Sequence, residues 1–163
     1  MNILITGGLG YVGYFTIREL IKDHSNNITV IDDFSNNQNI KYFKKFKIDI
    51  VKSDFSSIKI LKKLFSKKNF DMLIHLASYK KVQESIVKPK KYHFNNVAKT
   101  KKLINYCISR NLKKVIFSSS ASVYGRQKNV IVKENLSMSS LSPYAKNKID
   151  VENFLKNLIR KKK

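Results

Sequence analysis

Asn2-Ile-Leu-Ile-Thr-Gly-Gly-Leu-Gly-Tyr-Val-Gly13 combines three local patterns close to the start of the sequence. The apolar run predicts a β-strand, the closely spaced glycines predict a tight turn, and the residues that follow have helical periodicity. In glycine turns of this spacing, Gly7 permits the chain reversal, Gly10 lets the backbone approach a bound pyrophosphate, and Gly13 lets the helix lie close to the strand. The stretch therefore predicts a strand, turn and helix that bind a dinucleotide.

The second half of this motif is an acidic residue at the end of the next strand. A helical stretch from Tyr11 to Lys22 leads to Asn27-Ile-Thr-Val-Ile-Asp32, which ends about 20 residues past the glycines. A carboxylate there accepts hydrogen bonds from an adenosine ribose diol and repels a 2′-phosphate. The unpaired N–H groups of the first helical turn, including those of Tyr11 and Val12, would face the phosphates. These features predict NAD rather than NADP as the cofactor.

Length and charge limit the class of protein. At 163 residues, the chain is expected to form one NAD-binding domain over residues 1–158, followed by a basic tail over residues 159–163. The net charge is +22, from 33 basic and 11 acidic residues. Because the lysines are spread over almost the whole sequence and accompany no nucleic-acid-binding motif, we expect no specific nucleic-acid partner.

The sequence also lacks the signals of a membrane or disulfide-rich protein. No apolar run reaches the length of a membrane span, and the N-terminus does not read as a signal peptide, so we expect a cytoplasmic protein with no membrane partner. Cys107 is the single cysteine, which rules out an intrachain disulfide and a cysteine-based metal cluster. No metal site is predicted, and the apolar surroundings of Cys107 favour a core residue over a nucleophile.

The rest of the chain alternates between strand and helix patterns. Strands are expected at Lys47–Val51, Asp71–Ala77 and Lys114–Ser118, and helices at Ile40–Phe46, around Ile60–Phe65 and at Asn95–Arg110, with a loop around Pro89. This alternation predicts an α/β fold, a Rossmann-type doubly wound parallel sheet with strand order 3-2-1-4-5. The apolar strand that contains His75 should be central, with His75 as a core residue. Ligands of such sheets bind beyond the strand C-termini, where Gly7, Ala77 and Ser120 would converge.

Acidic and hydroxyl groups follow the third expected strand. Asp54 is well positioned there to contact an adenine ring. Ser56 or Ser57 is expected to cap the helix that comes next, because a serine hydroxyl at this position accepts a hydrogen bond from the first helical turn.

A second chemical signal lies near residue 144. Ser142 and Pro143 are typical of a helix start, with the serine as cap and the proline at the first helical position. Tyr144 and Lys148 are then one turn apart on one helix face. A cation beside a phenol lowers the pKa of the phenol and suits it to general base catalysis. The serines at 118–120 offer a hydroxyl that could pass or hold the substrate proton. The alternative to this catalytic interpretation is that Tyr144 and Lys148 form an ordinary surface pair.

Further motifs extend the pattern to about Leu158. They are Leu76-Ala-Ser-Tyr-Lys80, Glu84-Ser-Ile-Val-Lys-Pro89, Asn95-Asn-Val97 and Ser118-Ser-Ser-Ala-Ser-Val-Tyr-Gly125. Together with the glycine turn and the Tyr144–Lys148 pair, they resemble the extended short-chain dehydrogenase/reductases, and within these most closely the group of UDP-glucose 4-epimerases.

The resemblance implies roles for individual residues. Besides the glycine turn, the NAD-binding residues by position are Asp32, Asp54, Lys80, Asn95, Tyr144 and Lys148. Ser120, Tyr144 and Lys148 are the implied catalytic residues. Tyr144 is implied to take the proton of a sugar 4-hydroxyl while hydride passes from C4 to NAD. The 4-keto sugar then turns over and receives the hydride on its other face.

The resemblance leaves other functions open. Dehydratases and decarboxylases begin with the same oxidation, but many carry acidic residues where this chain has Ala121 and Ser122, which favours re-reduction. Epimerases of other UDP-sugars share the motifs. The C-terminal lobe that holds the UDP-sugar in the family is expected to be absent. The chain would then be a truncated epimerase, an epimerase completed by a partner, or a non-catalytic NAD-binding remnant.

The resemblance also implies a partner surface on the last helix. Val151, Phe154, Leu155 and Leu158 recur at helical spacing and would face a second subunit in a homodimer. Packing of the helix within the monomer explains the same stripe, so both interpretations stay open.

Overall fold

The structure is a computed structural model that describes residues 1–35, 40–43, 46–127 and 131–160. Parts of the expected loop after Asp32, of the helix expected at Ile40–Phe46 and of the basic tail therefore lie outside the described residues. Within the described ranges, no helix is both long and apolar enough to cross a membrane. The same ranges contain no group of three or more His, Cys, Asp or Glu side chains suited to a metal ion.

The chain forms an α/β fold with a five-stranded parallel sheet. Its strands are β1 (Asn2–Thr6), β2 (Asn27–Asp32), β3 (Asp49–Lys52), β4 (Met72–His75) and β5 (Lys114–Phe117). The order is β3-β2-β1-β4-β5, as predicted, and every neighbouring pair is parallel. Ile3, Leu4 and Ile5 are all fully buried, as is typical of a parallel strand covered on both faces. The middle strand is β1, and β4 lies beside it in the interior of the sheet rather than at its centre.

Seven α-helices lie in the described ranges. They are α1 (Tyr11–Leu20), α2 (Ile40–Phe43), α3 (Ile58–Phe65), α4 (Val82–Val87), α5 (Pro89–His93), α6 (Thr100–Ser109) and α7 (Pro143–Arg160). A π-helical turn at Phe94–Lys99 joins α5 to α6, and a 3₁₀ turn is formed by Ala121–Tyr124.

The expected loop around Pro89 is wrong. Helices α4 and α5 occupy this region, and they are separated at Lys88, which has φ −125° and ψ 56°. Pro89 begins α5 because its missing N–H costs nothing at the first helical position. The helical stretch expected from Asn95 therefore starts earlier, at Pro89, and its polar lysines concealed this in the sequence.

Two residues predicted to lie in the core do so. His75 is 1% exposed, its Nδ1 atom lies 2.6 Å from the Thr6 hydroxyl oxygen, and its ring stacks on that of Phe117. Cys107 is fully buried, and burial raises the pKa of its thiol to about 12. Neither environment is that of an exposed nucleophile or general base.

The chain divides into two compact units. The first unit consists of Met1–Ala77 and Lys102–Ser118 and contains the whole sheet. The second consists of Ser78–Lys101 and the chain from Ser119 onward, and it contains α4, α5 and α7. On α7, Val151 is fully buried, so this residue does not face a partner subunit as the dimer interpretation expected.

Candidate cofactor-binding and catalytic sites

Two glycines of the first unit are required by the backbone itself. Gly7 has φ +72°, and a Cβ atom there would lie 2.6 Å from the backbone nitrogen of Ala77. A Cβ atom on Gly13 would lie 2.5 Å from the carbonyl oxygen of Gly8. Side chains are therefore excluded at both positions by the fold, whether or not a ligand is bound.

Gly10 differs because the fold leaves space beside it. Its φ of −73° and ψ of 176° are extended values that any residue adopts. A Cβ atom would meet, among the described atoms, only the Gly7 carbonyl oxygen at 3.3 Å. The absence of a side chain at Gly10 therefore leaves a cradle that a ligand can enter.

The first turn of α1 faces this cradle with unpaired donors. No side chain of the described ranges caps α1, and its first helical bond runs from Tyr14 N to Gly10 O at 2.9 Å. The N–H groups of Tyr11, Val12 and Gly13 come before that bond. Together with the positive end of the helix dipole, they suit an anionic group such as a pyrophosphate.

Asp32 lies at the end of β2, as predicted, and is 8% exposed. Its Oδ2 atom accepts a hydrogen bond from Leu9 N at 3.1 Å and its Oδ1 atom accepts one from Phe34 N at 2.9 Å. Burial raises the pKa of this carboxyl, whereas the two backbone bonds act in the opposite direction. A carboxylate has about four lone-pair sites, so acceptor sites remain for a ribose diol. The bond to the glycine turn was not anticipated from the sequence.

Asp54 is exposed just after β3, at the position expected from the sequence. Its Oδ1 atom accepts hydrogen bonds from Ser56 N at 2.8 Å and from the Ser56 hydroxyl at 2.7 Å. Ser57 is the N-cap residue of α3, but its side chain does not make the expected capping bond. The carboxylate of Asp54 instead orders this turn.

In the second unit, the N-terminus of α7 is capped as predicted. The Ser142 hydroxyl accepts a hydrogen bond from Ala145 N at 3.1 Å, and the Ser142 carbonyl accepts one from Lys146 N at 2.9 Å. The Ser85 hydroxyl of α4 accepts a third bond from Tyr144 N at 3.2 Å. Pro143 has no N–H, so the donors of this turn are satisfied within the chain.

Lys148 is buried one turn beyond Tyr144. It is 3% exposed, and its Nζ atom lies 5.6 Å from the centroid of the Tyr144 ring. The ammonium donates a hydrogen bond to the Ser78 hydroxyl at 3.2 Å. Burial lowers the pKa of Lys148 to about 8. A buried lysine does not match the alternative of an ordinary surface pair.

Ser120 begins the 3₁₀ turn at Ala121–Tyr124. Its hydroxyl oxygen lies 2.8 Å from the Ser122 hydroxyl oxygen and accepts a hydrogen bond from Ser122 N at 3.3 Å. The neighbouring Ser119 hydroxyl donates a hydrogen bond to the Glu152 carboxylate of α7. The segment that carries Ser120 is thus held by its own turn and by α7.

Lys80 and Asn95 lie in the second unit in different environments. Lys80 is exposed, whereas Asn95 is 8% exposed and donates from Nδ2 to Asn96 Oδ1 at 3.0 Å. Asn96 holds the backbone of Tyr79 at both ends, through bonds of 2.9 Å from Tyr79 N to Oδ1 and from Nδ2 to Tyr79 O. Asn96 orders the chain beside Lys80, and only its place in an Asn-Asn pair hinted at this role.

Comparison with known proteins identifies the family of this fold. Residues 3–163 match the model of the NAD dependent epimerase/dehydratase family. The chain belongs to this family. The sheet confirms the predicted strand order, and the family match agrees with the predicted Rossmann-type fold.

Several epimerases of the family are similar to the chain. The UDP-glucose 4-epimerase of Yersinia enterocolitica is 36% identical over 163 residues, covering 96% of this chain and 48% of that protein. UDP-glucose 4-epimerase 3 of Oryza sativa subsp. japonica is 32% identical, with 96% and 44% covered. The chain spans about half the length of these relatives.

Solved epimerase structures have the same fold. The UDP-Glc/GlcNAc 4-epimerase of Campylobacter jejuni aligns with a TM-score of 0.89 and 33% identity, covering 96% of this chain and 48% of that one. A UDP-glucose-4-epimerase from Stenotrophomonas maltophila, solved with bound NAD and formylated UDP-arabinopyranose, aligns with a TM-score of 0.91 and 28% identity, covering 100% of this chain and 50% of that one.

Proposed function

We propose that the chain is the NAD-binding and catalytic half of a UDP-glucose 4-epimerase, which interconverts UDP-glucose and UDP-galactose. The observation that carries this proposal is the buried Lys148 ammonium 5.6 Å from the centroid of the Tyr144 ring. A desolvated cation beside a phenol is the arrangement that a tyrosine general base needs. The similarity to UDP-glucose 4-epimerases supports the choice of reaction.

The cofactor in this proposal is NAD. The open cradle at Gly10, the uncapped first turn of α1 and the remaining acceptor sites of Asp32 fit a dinucleotide. Gly7 and Gly13 shape the turn, Tyr11 and Val12 present backbone donors to the pyrophosphate, and Asp32 accepts from the adenosine ribose. Asp54, Lys80, Asn95, Tyr144 and Lys148 are proposed as the further NAD-binding residues.

Bound NAD would accept a hydride from C4 of the sugar and return it to the opposite face of the 4-keto sugar. Tyr144 takes the proton of the 4-hydroxyl as the C4–H bond of the sugar breaks, and it gives the proton back when the hydride returns to C4. Lys148 stabilises the phenolate form of Tyr144 electrostatically. Ser120 holds the sugar hydroxyl for this transfer.

The proposal extends to partners and location. A segment that grips the UDP-sugar would come from a further part of the protein or from a partner, and a homodimer through the half-buried apolar residues of α7 is a further proposal. The cytoplasmic location expected from the sequence is part of the same proposal. Because relatives include a UDP-N-acetylglucosamine 4-epimerase from Methanobrevibacter ruminantium, the assays need several UDP-hexoses.

The first experiment measures NAD binding by calorimetry and by release of nucleotide from the purified chain. Gly10→Asp places a carboxylate in the cradle and should abolish binding by excluding and repelling the pyrophosphate. Asn105→Asp adds the same charge at an exposed site of α6 and should leave binding unchanged. If the native chain binds no NAD, or Gly10→Asp binds as well as the native chain, the proposed cofactor site is wrong.

The second experiment measures turnover of UDP-galactose and UDP-N-acetylgalactosamine. The chain is assayed alone and with the C-terminal half of the Yersinia enterocolitica relative added as a separate polypeptide. We expect NAD-dependent epimerisation that Tyr144→Phe abolishes, because phenylalanine cannot accept the 4-hydroxyl proton. NAD binding without turnover under either condition would support the non-catalytic alternative instead.

A further inference from the structure

The serine segment of the second unit is tied to α7 by a charged hydrogen bond. The Ser119 hydroxyl donates to Oε1 of Glu152, whose side chain is 24% exposed. Lys156 Nζ lies 3.6 Å from the other carboxylate oxygen but is largely exposed, so it adds little. A hydroxyl-to-carboxylate bond is roughly twice as strong as a neutral one. The Ser119–Glu152 bond therefore restricts this segment more firmly than an ordinary surface contact does.

Glu152 lies on the same face of α7 as the proposed catalytic pair. Tyr144, Lys148 and Glu152 are separated by four residues each, which brings them onto one helix face in successive turns. All three are held by serines from other segments. The bonds join Tyr144 N to Ser85, Lys148 Nζ to Ser78 and Glu152 Oε1 to Ser119.

The local turn fixes the shape of the Ser120 segment but not its position along α7. The Ser120 hydroxyl accepts from Ser122 N, and the Ser120 carbonyl accepts from Val123 N at 3.1 Å. Both bonds are internal to the 3₁₀ turn and do not connect it to α7. The Glu152 bond differs because it connects the residue next to Ser120 to the helix that carries Tyr144.

We propose that Glu152 is a positioning residue, which holds the Ser119–Ser120 segment against α7 and thereby sets the location of the Ser120 hydroxyl relative to Tyr144. This inference rests on the proposed function for its effect on chemistry. Its structural part, the tethering of the segment, stands without it. Glu152 does not touch the reacting atoms in this proposal, and it acts through Ser119.

The test compares Glu152→Ala, Ser119→Ala and the double variant, with Glu152→Gln as the conservative change. Asn153→Ala, at an exposed neighbouring position of α7, controls for side-chain removal from the helix. The first readout is amide hydrogen exchange at Ser122 and Val123, measured in each variant and compared with the native chain. Loss of one charge-assisted bond should speed exchange by about tenfold in both single variants, with no further increase in the double variant. Glu152→Gln keeps an acceptor and should restore slow exchange.

The second readout is sugar-dependent reduction of bound NAD at saturating UDP-galactose. Glu152→Ala and Ser119→Ala should lower its rate by a similar factor, while NAD affinity stays unchanged. Unchanged exchange in Glu152→Ala, or additive effects of the two single changes, would overturn the tether. If the native chain binds NAD but oxidises no sugar even with the C-terminal half of the Yersinia enterocolitica relative added, the proposed function fails, whereas the exchange data still decide whether Glu152 holds the segment. If Glu152→Ala speeds exchange but leaves the rate of sugar-dependent NAD reduction at that of an active native chain, the positioning role is overturned.

Discussion

Helices α1 and α7 begin in opposite ways. No described side chain caps α1, which starts beside an open cradle at Gly10. The start of α7 is closed by bonds from Ser142 and Ser85 to its first N–H groups. A helix start with free donors suits a ligand, whereas a capped start fixes the side chains that follow it. The difference teaches that the start of α1 has the donors that suit an anionic ligand, whereas the start of α7 uses its donors to hold the residues that follow, including Tyr144 and Lys148, in one geometry.

The largest expected effect on stability comes from adding a side chain at Gly7, in the turn that forms the cradle before α1. Gly7→Ala forces a side chain to φ +72° and brings Cβ to 2.6 Å from Ala77 N. The backbone strain and the clash together should lower the free energy of unfolding by about 4 kcal/mol. Urea denaturation measures this change. A loss below about 1 kcal/mol would show that the turn can relax and that the cradle is not rigid.

Lys148→Met removes the free-energy cost of burying a charged lysine on α7. The fall in the pKa of Lys148 from 10.5 to about 8 is equivalent to roughly 3 kcal/mol, at about 1.4 kcal/mol per pKa unit. Below pH 8 the lysine is charged in both states and the burial cost is constant. The variant should therefore be more stable at pH 7 by on the order of 3 kcal/mol, yet lose any epimerase activity.

The pH dependence of stability provides a second measurement on Lys148. Between about pH 8 and 10.5 the unfolded chain binds more protons at this residue than the folded chain. The Lys148 contribution to the free energy of unfolding therefore rises with pH through this window. The stability advantage of Lys148→Met should shrink over the same window. An advantage that does not depend on pH would mean that Lys148 has the same pKa in the folded and unfolded chains, so that burial does not lower it.

Ser142→Ala opens the capped helix start. Loss of the bond to Ala145 N should cost about 1 kcal/mol of stability, measured by urea denaturation. Ser142→Asp supplies a carboxylate acceptor at the same place and should remain within about 0.5 kcal/mol of the native chain. Equal stability of the alanine and native chains would contradict the role of this cap.

The smallest effect on stability is expected from Gly10→Ala. The backbone values suit alanine, and Cβ meets only the Gly7 carbonyl oxygen at 3.3 Å among the described atoms. The free energy of unfolding should change by less than about 0.5 kcal/mol, whereas NAD affinity should fall by about tenfold or more because Cβ enters the cradle. A large loss of stability would mean that Gly10 serves the fold and not a ligand.

The sheet and both helix starts were predictable because their signals are local. The glycine turn, the acid at the end of β2 and the Ser142-Pro143 pair each identify their structure within a few residues. Helices α4 and α5 were missed because Lys88-Pro-Lys-Lys91 is polar, and α4 is pinned by the buried Ser85 through a contact with distant Tyr144. The burial of Lys148 was equally hidden, since nothing in its sequence separates it from the other lysines. Contacts between distant segments decide both features, and the roles of the site residues stay predictions.

The burial of Cys107 has a practical consequence for measuring motion. Its thiol is the only one in the chain, and with a pKa raised to about 12 it is almost never a thiolate at neutral pH. Thiol reagents react with thiolates that they can reach, so they should modify this cysteine only in molecules whose core has opened. The rate at which Cys107 is modified therefore measures how often the core opens at this site, and no label has to be introduced.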